Sequence, residues 1–266
     1  MIQLSKRILI YIPCYNCEQK IVQVLKEIPV EFYGQSECLV IDNQSTDKTA
    51  QVVLDEIKRS AIPLKIHLIR TNENLGYAGS QKLAYQIAVD APSVEYILML
   101  HGDGQYPPEQ TKQFLPYIGQ DYALVNGFRD KKTYPSLEET PFLTYIIIKF
   151  LSWLESLLTG LKHKEWHTGF VMYRKDFLAA VAFARFSAYR HIDGEFLMCA
   201  GILRKKTASV PIYKKYKDCD YFRGAERVKY ISHVFKIILR FLSGYYHRIL
   251  SEKPFPKVAS TFDLLT

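Results

Sequence analysis

The chain has no long uncharged run. The longest, Ile8 to Cys17, is ten residues, well short of the ~18 to 20 apolar residues that a bilayer-spanning helix requires. Secretory processing features are also missing: the basic pair Lys6-Arg7 precedes a short apolar run ending at Pro13, with no small-residue cleavage site after it. A cytoplasmic location is therefore expected. Cysteine is scarce and odd in number, five in 266 residues, which does not make a disulfide framework. Cys14-Tyr15-Asn16-Cys17 has the spacing of a redox pair or half a zinc site, but no second CxxC or histidine pair follows at ligand spacing. Hydrophobic residues make up 48% and charged residues 23%, which excludes disordered, collagen-like and low-complexity classes.

What is present points to one large domain or two small ones. The net charge of +8 is unevenly placed. Residues 1–200 hold 21 Lys+Arg against 22 Asp+Glu, whereas residues 201–266 hold 14 against 5. A basic quarter of this kind attracts polyanions: nucleic acid, an anionic membrane face or a phosphorylated lipid. The absence of a recognisable nucleic-acid-binding module argues against the first.

Through the first 130 residues short apolar runs alternate with amphipathic ones, the rhythm of βαβ units. Strands are expected at Arg7–Ile12, Leu39–Ile41, Ile66–Arg70, Tyr96–Leu100 and Ala123–Asn126, and helices at Asp47–Ser60, Ala78–Val89 and Glu109–Tyr117. Phe142–Leu161 is dense in Leu, Ile, Phe and Trp but interrupted by Lys149 and Glu155, which suits an interfacial or lid helix. Arg227–Leu250 mixes apolar residues with Arg227, Lys229, Lys236, Arg240 and Arg248. It reads either as a basic amphipathic helix on anionic headgroups or as an ordinary core-facing helix.

Ligands of parallel sheets bind beyond the carboxyl ends of the strands, and here those ends are polar. They read PCYNCE from Pro13, DNQSTD from Asp42, HGDGQYPPE from His101 and NGFR from Asn126. Donors for phosphate and acceptors for a base, a ribose or a metal would converge in one crevice. No GxxxxGK[ST] loop, no GxGxxG after the first strand and no GxSxG elbow occurs, so P-loop, dinucleotide-binding Rossmann and α/β-hydrolase readings lack their defining parts.

From about Ile8 to Lys229 the chain resembles the inverting, GT-A-fold glycosyltransferases of family 2, especially the branch similar to dolichol-phosphate mannose synthases. The matching pieces, in order, are IPCYNCE, VIDNQSTDKT, NENLGYAGSQKLA, HGDGQYPPE, NGFR, HTGFVMYRKDFL and HIDGEFLMCAG. The resemblance implies an α/β GT-A fold, a mostly parallel mixed sheet flanked by helices, with C-terminal amphipathic helices. Expected divisions are a glycosyltransferase domain over 1–225, with a nucleotide-sugar-binding half (1–130) and an acceptor half (131–225), and a basic helical extension over 226–266.

It also implies roles. Asp103 resembles the second, metal-binding Asp of the family's D-x-D, and His101 stands at the first position. Histidine suits Mn²⁺ better than the harder Mg²⁺, so either His101 joins Asp103 on manganese or Asp103 binds alone while His101 faces the donor's ribose. Asp42 and Asn43 match the acidic pair that contacts base and ribose, and the change to Asn43 leaves the base open between UDP- and GDP-sugars. Pro13, Tyr15 and Gly102 fall in nucleotide-cradling segments; the family's Glu is Cys17 here, which leaves Glu18 as the substitute. Arg129 corresponds to an arginine placed to meet a diphosphate or acceptor phosphate bidentately. For a sugar-hydroxyl acceptor, Asp193 or Glu195 is the expected general base. A polyprenyl phosphate is already ionised and needs none. The turn His167–Phe170 resembles the acceptor-side wall.

The expected activity is transfer of a hexose from a nucleotide-diphosphate sugar to a membrane-associated acceptor, a polyprenyl phosphate or growing glycan, in cell-surface polysaccharide or lipid-linked sugar synthesis. The protein would sit peripherally on the cytoplasmic membrane face. The departures at Cys17, Asn43 and His101 define the alternative, a catalytically degenerate nucleotide-sugar-binding subunit.

Overall fold

A computed structural model describes residues 2–60, 62–130, 142–215, 224–259 and 261–266. Its frame is one eight-stranded sheet, built from β1 (Ile8–Cys14), β2 (Ser36–Asp42), β3 (Ile66–Thr71), β4 (Tyr96–Met99), β5 (Leu124–Arg129), β6 (Val171–Arg174), β7 (Thr207–Ile212) and β8 (Phe262–Leu264). The spatial order is β7-β5-β6-β4-β1-β2-β3-β8. Strands β4, β1, β2 and β3 are mutually parallel, as are β5 and β7. β6 runs antiparallel between β4 and β5, and β8 antiparallel beside β3. This is the mixed, mostly parallel α/β sheet expected.

The continuous apolar runs are continuous because both faces of the sheet are covered. In β1, Leu9 and Tyr11 join one buried cluster while Ile8, Ile10 and Ile12 join the other, the period-2 alternation of a strand. The second face is covered by α1 (Ile21–Lys26) and α2 (Thr49–Arg59); the first by α3 (Gly76–Asp90), α5 (Lys175–Ala179), α6 (Ile192–Ile202), α7 (Gly224–Leu242) and α8 (Tyr245–Ser251). The remaining helix, α4, spans Phe142–Thr159.

Three expectations change. Residues Pro108–Tyr117 form successive 3₁₀ turns rather than an α-helix, because Pro116 lacks an amide hydrogen and its ring opposes an α-helical i−4 carbonyl. The single helix expected over 227–250 is α7 and α8, broken at Gly244, whose φ of 75° an α-helix cannot contain. β6, β7 and β8, together with α1 and α5, were not foreseen; β7 carries Pro211, which its place at the sheet edge accommodates. β8 brings residues 262–264 back to the sheet beside β3. The four described cysteines, Cys14, Cys17, Cys38 and Cys199, are free and buried.

Candidate active site

At the carboxyl ends of β1, β2 and β4 the connecting loops are laced together. Asn16, held at φ 53°, receives Thr46 N–H on its Oδ1 at 2.8 Å, while Cys17 N–H donates to Thr49 Oγ1 at 2.8 Å. Gly102 is fixed by close approach: a Cβ there would stand 2.5 Å from Cys14 Sγ and 2.9 Å from the Pro13 carbonyl oxygen. Only glycine lets the β4 loop pack against the end of β1. These loops open onto a cavity of about 950 Å³, within the size range of small-molecule sites.

Of the residues singled out in the sequence, Pro13, Tyr15, Asn43, His101, Gly102, Asp103, Arg129 and Asp193 line this cavity. Tyr15 is exposed on it. Asp103 is also exposed, its Oδ1 accepting Gln105 N–H at 3.0 Å, which fixes the carboxylate in an Asx turn open to solvent. A hard cation fits that arrangement. His101 turns Nε2 toward the Gly169 carbonyl at 3.4 Å and packs against the rings of Tyr77 and Tyr106. Burial pushes its imidazole pKa down, with Asp103 opposing.

Two expected residues, Asp42 and Glu18, lie outside the cavity, and two that line it, Asn43 and Arg129, are engaged by the protein itself. Asp42 is wholly buried below the cavity, accepting Ser45 N–H and lying 3.0 Å from Arg70 Nη1. Asn43 spends its amide on the protein: Oδ1 accepts Leu75 N–H at 2.9 Å and Nδ2 donates to Asn74 Oδ1 at 3.1 Å. Glu18 faces a shallow hollow beside Asp47, where its Oε2 accepts Lys48 N–H at the start of α2. Arg129 is engaged with a protein carboxylate: its Nε and Nη2 both donate to Glu165 Oε1, and its backbone N–H donates to Oε2 at 2.8 Å. Desolvation resists the ionised Glu165, but the Arg129 guanidinium outweighs it and holds its pKa low.

The two candidate bases separate cleanly. Residues 193 and 195 are two apart on α6, so they point in different directions. Asp193 faces the cavity, accepts Tyr173 O–H at 2.8 Å and has its pKa raised by burial to about 6. Glu195 faces inward, accepting Ser187 N–H at 2.7 Å and Tyr246 O–H at 2.8 Å, with Arg240 at 3.4 Å. It ties α6 to α7 and α8 and does not reach the cavity.

Sequence reading also missed Arg190, Lys214 and Lys215, which add positive charge to the wall. His167, expected in the acceptor-side wall, lines the cavity, and it meets Glu155, His191 and Tyr230 from three other segments, an association the sequence did not reveal. Burial opposes ionisation of Glu155, yet His191 and His167 hold its pKa down to about 2. No spacing signal joins residues this far apart in the chain.

Residues 9–181 match the profile of Glycosyl transferase family 2. The chain belongs to that family. An uncharacterised protein of Methanocaldococcus jannaschii is 27% identical over 243 residues, covering 87% of this chain and 97% of its own length. An undecaprenyl-phosphate 4-deoxy-4-formamido-L-arabinose transferase of Pseudomonas savastanoi is 25% identical over 130 residues, 48% of this chain and 37% of its own. Glucosyl-3-phosphoglycerate synthase of Mycobacterium tuberculosis, solved with Mn²⁺, UDP and phosphoglyceric acid, superposes with a TM-score of 0.61 at 14% identity, covering 97% of this chain and 86% of its own. The same enzyme is solved with Mg²⁺ and UDP. This family 2 glycosyltransferase thus has a GT-A fold, with the candidate site at the sheet's carboxyl edge.

Proposed function

We propose that this glycosyltransferase inverts the anomeric carbon of a hexose, taking it from a UDP- or GDP-sugar to a membrane-associated acceptor, as in the branch similar to dolichol-phosphate mannose synthases. The observation that carries the reading is the single cavity in which the loops after β1, β2 and β4 meet Asp193 and a cationic wall. Asp103 is the residue suited to hold a divalent cation, and its lone carboxylate suits Mn²⁺ and Mg²⁺ alike. When bound, the cation neutralises charge that develops on the leaving diphosphate. His101, with Nε2 on Gly169, serves as wall rather than ligand. Lys214, Lys215 and Arg190 favour a polyanionic substrate.

With a sugar-hydroxyl acceptor, Asp193 takes the hydroxyl proton as the acceptor oxygen bonds to the anomeric carbon. The bond from that carbon to the diphosphate oxygen breaks, and its electron pair leaves with the nucleoside diphosphate. A base of pKa about 6 is ionised at neutral pH and still basic enough to accept a proton. Asp193→Asn is expected to lower kcat by roughly 10²- to 10⁴-fold. In the unaltered enzyme log kcat/KM should rise with unit slope up to pH about 6 and then level. Full activity in Asp193→Asn would point to an acceptor phosphate, which needs no base.

Membrane association is the second part of the proposal, supported by α4. By length and composition α4 could cross a bilayer, but its buried face is Thr144, Ile148, Leu151, Ser152 and Glu155. Its exposed side chains include Phe142, Ile146, Phe150, Trp153 and Leu157, spaced four, four, three and four residues apart. Buried polar groups fasten the helix to the domain, while an apolar stripe faces outward. This inverted arrangement suits a helix lying in the plane of an interface. On α7, Phe235, Leu239 and Leu242 are exposed beside Lys236. Thr144 and Ile148 of α4 and Tyr230 of α7 line the cavity, so an acceptor held at a cytoplasmic membrane face would enter between these helices.

A further inference from the structure

We propose that Glu155, His167 and His191 form a second cation site, separate from Asp103, for a borderline transition-metal ion of the Zn²⁺ class. Two imidazole nitrogens and a carboxylate oxygen lie within 4.8 Å of one another, and such a donor set suits zinc and its neighbours better than magnesium or calcium. His191 Nε2 is 2.7 Å from Glu155 Oε1, and His167 Nε2 is 3.1 Å from Glu155 Oε2.

The second of these contacts is the informative one. Glu155 Oε2 and His167 Nε2 are both sealed from solvent, and they are misaligned for a hydrogen bond despite their separation. Two buried polar atoms left in this state destabilise the fold, because neither water nor a partner replaces the hydrogen bonds each loses. An ion held jointly by them removes that destabilisation. The outer side of each ring is also organised: His167 Nδ1 is 2.8 Å and His191 Nδ1 is 3.4 Å from the one Tyr230 hydroxyl oxygen. With the His167 Nδ1–H donating to that oxygen, its Nε2 presents a lone pair toward Glu155 Oε2, and a cation between them would satisfy both, the hydrogen bond between His191 Nε2 and Glu155 Oε1 at 2.7 Å giving way to a shared ion. An outer partner that fixes the imidazole in this way is characteristic of metal-bound histidine. With ligand distances of about 2.0–2.2 Å, the widest pair of donors closes by side-chain tilting of the two stacked rings.

The ion would join four segments. Glu155 comes from α4, His167 from the turn before β6 and His191 from the N-cap of α6; Tyr230 brings α7. The two helices beside the cavity mouth would thereby be pinned to its wall. This assignment stands whether or not the chain transfers a sugar.

The test is equilibrium dialysis of full-length protein against Zn²⁺ without nucleotide, with metal counted by elemental analysis, and Co²⁺ as a spectroscopic stand-in. Asp103→Ala, which removes the donor-side ligand, should still bind one Zn²⁺ per chain. His167→Gln and His191→Gln, placed in that background, should weaken binding at least 100-fold, and Tyr230→Phe roughly 10- to 100-fold. The Co²⁺ form should show d–d bands and no thiolate charge-transfer band, which excludes Cys14 and Cys17. If a histidine variant does not fold, Tyr230→Phe, which keeps its ring, decides by the same affinity. No binding in Asp103→Ala, unchanged binding in the Gln or Phe variants, or a thiolate band would each overturn the proposal.

Discussion

His163 carries a buried imidazole whose titration is coupled to folding. Its Nε2 lies 2.6 Å from Asn126 Oδ1, and burial lowers its pKa from 6.5 to about 4. Between those values the unfolded chain binds a proton that the folded chain does not. Stability therefore rises with pH across this window and is lost as pH falls from 6.5 toward 4. One such group contributes a slope of about 1.4 kcal/mol per pH unit. Urea unfolding of His163→Gln, whose amide can still reach Asn126, should show a pH slope smaller by about one proton between pH 4.5 and 6. An unchanged slope would mean that His163 is protonated in the fold. At this scale the sequence was legible as to which residues reach the cavity: Asp103 in the loop after β4 and Asp193 in the first turn of α6 both line it. It was not legible where two residues of the same type differ only in direction. Asp193 and Glu195 are equivalent as letters, and only the helix turn between them sends one to the cavity and the other to Ser187 and Tyr246.

Elements were readable in proportion to their local signal. Strands β1 to β5 announce themselves as apolar runs ending in polar loops because each is buried on both faces. β6 and β8 are short and owe their existence to antiparallel pairing with distant partners, β4 and β5 for one and β3 for the other. No local pattern encodes that pairing. α4 gave the opposite difficulty: its composition was plain, but which face it buries was not, since Thr144, Ser152 and Glu155 are turned inward. Its orientation makes a prediction. Vesicles containing anionic lipid should bind the protein, shift Trp153 fluorescence to the blue and release it as salt rises, because each well-placed Lys or Arg contributes about 1 kcal/mol near such a surface. Phe150→Glu with Leu157→Glu should weaken binding about tenfold or more, since it replaces exposed apolar surface and leaves the buried face intact. Equal binding by that variant would assign attraction to charge alone.

For the whole molecule, the fold follows from the alternation of strands and helices, and the place of the site follows from the fold. The parallel block β4-β1-β2-β3 sends its loops to one edge, and the cavity opens there. The donor's base was beyond reach in the sequence for a physical reason: Asp42 and Asn43, the residues expected to read it, are engaged with Arg70, Leu75 and Asn74. The decisive measurement is therefore direct. Thermal unfolding should be followed with UDP, GDP, CDP and dTDP, each with and without Mn²⁺, in the unaltered protein and in Asp103→Ala. A ligand at 100 times its Kd stabilises the folded state by about 2.7 kcal/mol, which raises Tm by roughly 5–10 °C in a chain of this size. Such a rise is expected with one nucleoside diphosphate, dependent on Mn²⁺ and absent in Asp103→Ala. No rise with any nucleotide, or an equal rise in Asp103→Ala, would contradict this.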